Sequence, residues 1–221
     1  MPGQATFSIV ISGWPAVGKT TIARALADQF KLKMYNGGDI LKMLAADKGY
    51  RDAATRDDWW DTEDAKKFME EREADPSFDK SVDTKLQDLV HKGGVVITSY
   101  TLPWLVAMGQ KQSESSTRRA GETVLAHSVS SNIIKFWLKG SPENRAKRMA
   151  NRDHIRVSDA GAIVSLRDEE NRKIYKHLYG FEFGEDLEVF DYMLNTDVLK
   201  LEKLIEISKV IVTNHVSGLA A

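Results

Sequence analysis

Apolar positions along the chain fall into two spacings, and the switches between them mark the elements. Phe7-Ser8-Ile9-Val10-Ile11 is a nearly continuous apolar run and predicts a buried strand. Ile22, Ala23, Leu26, Ala27 and Phe30 then recur at helical spacing and predict a helix over Thr20–Phe30. A short strand is expected at Leu32–Tyr35. The turn Asn36-Gly37-Gly38-Asp39 follows, with Asp39 as the expected N-cap of a helix over Ile40–Lys48. Residues 51–92 are highly charged and read as two helices, Thr62–Ala74 and Phe78–Lys92, broken at Asp75-Pro76-Ser77. Val95–Thr98 is a β-branched run after Gly93-Gly94 and predicts a central strand, and Ile133–Leu138 predicts another. Helical spacing returns over Pro142–Asn151 and Asp159–Leu178. Val189–Leu194 is the last expected strand, and Leu199–Val212 an amphipathic closing helix.

Strands alternating with helices argue for an α/β fold with a parallel sheet and right-handed crossovers. The 221 residues suit one such domain, and a hydrophobic fraction of 42% supplies its core. A net charge of −1 gives no global field toward nucleic acid or membrane. The absence of cysteine excludes disulfides, zinc ribbons and thiol chemistry, and suits a reducing compartment. No stretch approaches the roughly 20 apolar residues that cross a bilayer. The first residues lack the basic-then-apolar character of a signal peptide. The expectation is a cytoplasmic monomer acting on small molecules, without nucleic-acid or membrane partners. The stretch Gly109–Gly121 is polar and serine-rich, and reads as a mobile surface loop.

The chemistry is written between the first strand and the first helix. Gly13-Trp14-Pro15-Ala16-Val17-Gly18-Lys19-Thr20 fits G-x-x-x-x-G-K-[ST] without mismatch. Glycines at both ends permit a loop whose amides converge on phosphate oxygens at a helix N-terminus. Gly13, Ala16, Val17, Gly18, Lys19, Thr20 and Thr21 are the candidates for holding the phosphates of ATP. Lys19 suits the β- and γ-phosphates, and the Thr20 hydroxyl suits Mg²⁺.

A second cluster is cationic. Arg145, Arg148 and Arg152 recur at helical spacing, and Arg156 and Arg167 follow. Arginine suits a transferring phosphoryl group because it is planar, always charged and rich in donors. Taken alone, the run also fits a solvated basic face. No nucleophile–base pair suggests covalent catalysis, and the five histidines show no metal-ligand spacing.

These features resemble the cytidylate kinases among the nucleoside monophosphate kinases, particularly the short archaeal type. ISGWPAVGKTTIARALADQFKLKMYNGGDI is similar to their opening strand, loop, helix and second strand. DAKKFMEEREADPSFDKSVD resembles their substrate-side helical segment. KHLYG at Lys176–Gly180 and YMLNT at Tyr192–Thr196 resemble their C-terminal part. The resemblance implies a P-loop fold with a five-stranded parallel sheet as core (6–35, 93–140 and 187–215). It also implies a helical acceptor-binding subdomain (about 39–92) and a lid (about 141–160). It implies Mg-ATP as donor and a pyrimidine nucleoside monophosphate such as CMP, dCMP or UMP as acceptor. Arg148, Arg152 and Arg167 fall on its lid arginines, and Lys19 on its catalytic lysine. Asp39, Lys42, Asp79, Asp83 and Tyr100 fall on the acceptor side, where a carboxylate at Asp79 or Asp83 suits an exocyclic amine.

The departures gather on that acceptor side. Lys42 stands where the resemblance implies an arginine for the acceptor phosphate. Thr98-Ser99-Tyr100 stands in place of an acid, glycine and arginine, and Asn171 and Ile174 in place of an acid and an arginine. A dianionic acceptor needs compensation for its desolvation. Three readings therefore stay open: a different binding set including Lys42, Tyr100 and Lys85, a less charged acceptor, or nucleotide binding without transfer.

Overall fold

The structure is a computed structural model that describes residues 7–56, 59, 62–74, 77–109 and 132–219, with the side chains of 72–74, 77, 79 and 219 outside the description. Five strands form one sheet: β1 (Ser8–Gly13), β2 (Lys33–Asn36), β3 (Val95–Thr98), β4 (Ile133–Lys139) and β5 (Tyr192–Asn195). Their order is β2-β3-β1-β4-β5, and every pairing is parallel. The expected α/β fold with a five-stranded parallel sheet is the fold observed. β1 is central, with Ile9 opposite both Val96 and Ile134. Both of its faces are covered, which is why it reads as a continuous apolar run.

On one face pack α1 (Lys19–Phe30) and α8 (Leu201–Leu219), through Ile22, Leu26, Leu204 and Val212 against Ile9, Ile11 and Phe136. On the other pack α2 (Gly37–Asp47), α4 (Ser77–Lys92) and α5 (102–109), through Ile40, Leu86, Val90, Leu102 and Val106 against Val10 and Ile97. A separate cluster joins α2 to α3 (Glu63–Ala74) and α4 around Trp59, Phe68 and Phe78. Trp59 is thereby a core residue, and Trp60 lies outside the described residues. A fourth cluster packs α6 (Pro142–Asp153) on α7 (Val157–Tyr179) through Met149, Ala150, Ala160 and Val164. No helix among the described residues is long and apolar enough to cross a membrane.

Three boundaries differ from expectation. Asn36, not Asp39, is the N-cap of α2. Its side chain accepts from Gly38 N and Asp39 N, while Asp39 reaches back to Asn36 N at 2.8 Å. This reciprocal box satisfies orphan amides at both positions and starts the helix three residues early. Val189 closes a 3₁₀ turn (Leu187–Val189), and the last strand begins only at Tyr192. The closing helix starts at Leu201 and continues past Val212 to Leu219. The polar stretch after Gly109 lies outside the described residues.

Candidate active site

The loop between β1 and α1 is shaped by backbone that few residues tolerate. Gly13 has φ +144°, and a Cβ there would sit 2.4 Å from the Leu138 carbonyl oxygen. Gly18 is left-handed, at φ 93°, and no side chain caps the first turn of α1. The orphan amides of that turn are therefore available to an anion. Trp14 is packed by its surroundings: its indole meets Phe183 edge-on at 4.8 Å and lies under the guanidinium groups of Arg145 and Arg172 at 5.5 and 4.7 Å.

Ala16, Val17, Gly18, Lys19, Thr20 and Thr21 line a cavity of about 850 Å³, together with Arg148, Arg152 and Arg167. Gly13 does not line it, and contributes its carbonyl to Lys19 instead. The far wall is Thr196 and the start of α8 from Leu201 to Leu204. Lys19 Nζ donates to Gly13 O and Trp14 O, both at 2.8 Å, and sits 4.5 Å from the Tyr100 ring centroid. Burial holds its pKa down to about 7, with repulsion from Arg145 adding to the effect and Asp168 partly opposing it.

The arginines separate into different roles. Arg145 is 2% exposed and forks onto Asp168 at 2.8 and 2.6 Å, while its Nε donates to Gly140 O. It is a strut between α6 and α7. Arg148 donates to Thr196 Oγ1 and O at 2.9 and 2.6 Å, and lies 3.6 Å from Asp197. Arg152 forks onto its neighbour Asp153. Arg167 is exposed on the cavity side of α7, one residue from the buried Asp168.

A second cavity of about 680 Å³ shares Lys19, Thr20 and Tyr100 with the first. Gly37, Gly38, Leu41, Thr98, Ser99, Asp83 and the end of α7 complete it. Asp83 is 9% exposed. One carboxylate oxygen accepts from Thr101 Oγ1 at 2.7 Å and the other from the Tyr179 hydroxyl. Ile174 lines this cavity as well, so with Thr98, Ser99 and Tyr100 most of the departures in sequence face it, while Lys42 and Asn171 do not line it. Burial raises the pKa of the Tyr100 phenol, and Arg167 offsets part of that rise.

Asp39, Lys42 and Lys85 do not line it. Asp39 is committed to the α2 cap. Lys42 Nζ donates to the Arg56 carbonyl at 2.8 Å, turned toward the segment that follows α2. Lys85 pairs with Asp47 at 2.5 Å, which ties α4 to the end of α2. The Asp79 side chain lies outside the described residues. Thr101 and Tyr179 were not singled out from sequence. They stand 18 and 96 residues from Asp83, and no local pattern links them.

The model of the cytidylate kinase-like family matches residues 8–198. The chain belongs to that family. It is 30% identical over 200 residues to a cytidylate kinase of Pyrobaculum arsenaticum, covering 90% of this chain and 89% of that one. The corresponding enzyme of Pyrobaculum islandicum is 32% identical over 200 residues with the same coverage. That of Staphylothermus marinus is 29% identical over 205 residues, covering 90% and 92%. Among solved structures, shikimate kinase from Bacteroides thetaiotaomicron superposes with a TM-score of 0.50 at 14% identity, over 96% of this chain and 98% of that chain. That likeness speaks for the fold alone.

Proposed function

We propose that this chain transfers the γ-phosphoryl group of ATP to a small acceptor, with pyrimidine nucleoside monophosphates (CMP, dCMP or UMP) as the acceptors its family points to. The observation that carries the reading is the junction of two cavities at Lys19, Thr20 and Tyr100. A triphosphate seated on the loop has its terminal phosphoryl at that junction, open to in-line attack from the second cavity.

Lys19 would leave the Gly13 and Trp14 carbonyls and meet the β- and γ-phosphates. The uncapped turn of α1 would hold phosphate oxygens. Mg²⁺ would enter with the triphosphate, which suits an ion that keeps its waters and takes substrate phosphates. The hard hydroxyl of Thr20, exposed at the mouth of α1, offers it one protein oxygen. Arg152 and Arg167 would turn from solvent, and Arg148 from Thr196, to the transferring group, and α6 with the start of α7 would act as the lid. Use of ATP and the lack of cysteine suit the cytoplasm.

The test is ADP formation from Mg-ATP with CMP, dCMP, UMP, AMP, GMP and dTMP. Turnover that depends on a pyrimidine monophosphate, and falls at least about 100-fold in Lys19→Met while the melting temperature holds, supports the reading. Turnover in Lys19→Met equal to the parent's would refute it.

A further inference from the structure

Among the described residues that line the second cavity, the one cation is Lys19, which also serves the donor side. Apart from Asp83 and the helix-capping amide of Asn36, the rest of the described wall is hydroxyl, glycine and apolar: Ser99, Thr98, Gly37, Leu41 and Ile174 among them. A phosphate monoester carries close to two negative charges, and sites that take one usually spend arginine forks on it. This wall is instead built around a carboxylate. Asp83 is almost wholly buried, and its two oxygens are fixed by hydroxyl donors from the loop after β3 and from the end of α7.

The two kinds of acceptor make opposite demands. A phosphate oxygen is already ionised and attacks without a base, but needs cations. An alcohol needs no cation to enter, but must lose a proton as it attacks, and a positioned carboxylate can take it. We propose that this site also phosphorylates an acceptor that enters with a hydroxyl and no phosphate, such as a nucleoside or another small polyol, with Asp83 as its general base.

In that step the alcohol oxygen bonds to the γ-phosphorus, and the bond from that phosphorus to the β-phosphate oxygen breaks. The products are a phosphomonoester and ADP, and the alcohol proton passes to Asp83 and then to solvent. Thr101 and Tyr179 aim the carboxylate through hydrogen bonds to its two oxygens. The proposal rests on the phosphotransfer reading of the first cavity but not on a monophosphate acceptor.

The experiment supplies the full chain with Mg-ATP and cytidine, uridine, ribose or inositol, with CMP in parallel, and follows phosphomonoester by ³¹P NMR. A product from at least one uncharged acceptor is expected. In Asp83→Asn its kcat should fall about 10²–10⁴-fold, with ATP affinity and melting temperature kept. The ionisable residues lining the cavity among those described are Lys19, Asp83, Tyr100, Tyr175 and Tyr179. Asp83 is the sole carboxylate of that set, and so the base that Asp83→Asn removes. Turnover of CMP without any uncharged acceptor overturns this proposal and leaves the kinase reading standing. ADP formation with no acceptor in either class overturns both. An Asp83→Asn variant that phosphorylates the alcohol at the parent rate removes the base from the proposal and overturns it.

Discussion

Replacing Arg145 by methionine should unfold this protein far more readily than its place in a basic run suggests. The guanidinium is 2% exposed, makes two bonds of 2.8 and 2.6 Å to Asp168 and one of 3.1 Å to Gly140 O, and covers the Trp14 indole. Methionine fills much of the same volume but leaves the Asp168 carboxylate buried without its counter-charge. Breaking one side of such a pair costs about 3–5 kcal/mol. For a chain of this length each kcal/mol lowers the melting temperature by about 2–4 °C, so a fall of about 6–20 °C is expected. The double variant Arg145→Met/Asp168→Leu removes both charges and should recover most of the loss, because paired charges and an apolar pair of similar volume are nearly equivalent in free energy. Thermal melts of the parent, both single variants and the double variant form the cycle. A loss below about 1 kcal/mol in Arg145→Met, or a double variant as poor as the sum of the singles, would refute the strut assigned to this pair.

Two further outcomes follow from the loop. With a pKa near 7, Lys19 is largely neutral in the free protein at pH 8. A bound triphosphate restores its charge, so calorimetric titrations in buffers of different ionisation heat should report uptake approaching one proton at pH 8 and little at pH 6. Equal uptake at both would contradict the burial of Lys19. Between pH 7 and 10 the unfolded lysine binds more protons than the folded one. The parent should therefore gain stability relative to Lys19→Met as pH rises, by up to about 1.4 kcal/mol per unit, and a flat difference would sink the argument. Gly184→Ala places a Cβ 2.1 Å from Trp14 Cζ2 on backbone at φ +89°. It should cost about 2–4 kcal/mol through overpacking and strain and weaken ATP binding by displacing the loop; melting and nucleotide affinity equal to the parent's would show that Trp14 yields freely.

The donor half of this site was legible because its parts are contiguous. Strand, glycine loop and helix occupy 23 consecutive residues, Ser8–Phe30, and each has a local signature. The acceptor half was legible only as a set of departures. Asp83 could be named from its helix, but its partners come from elements that only the fold brings together. The arginines of α6 share a helical spacing, yet Arg145 is buried on Asp168 while Arg152 lies open, since burial changes along the helix and spacing does not report it. The cap of α2 was misplaced because Asn36 and Asp39 both have capping side chains, and reciprocal bonding gives each a share. Val189 and Phe190 were read into a strand because they are apolar; they instead border the aromatic cluster of Trp104, Trp137 and Phe183.

The seat of Gly13 against Leu138 also bears on how the protein comes into being. The nucleotide loop leaves the ribosome before most of the sheet does, and one wall of it is a strand made more than a hundred residues later. β1 finds its neighbours at Val96 and Ile134 only across long stretches of chain, and such distant pairings form slowly. A nascent chain that stops short of β4 has the motif in its sequence and lacks the strand that shapes it. Affinity for ATP should therefore arrive late in synthesis, in one step with the closure of the sheet, and not grow with the length of the emerging chain.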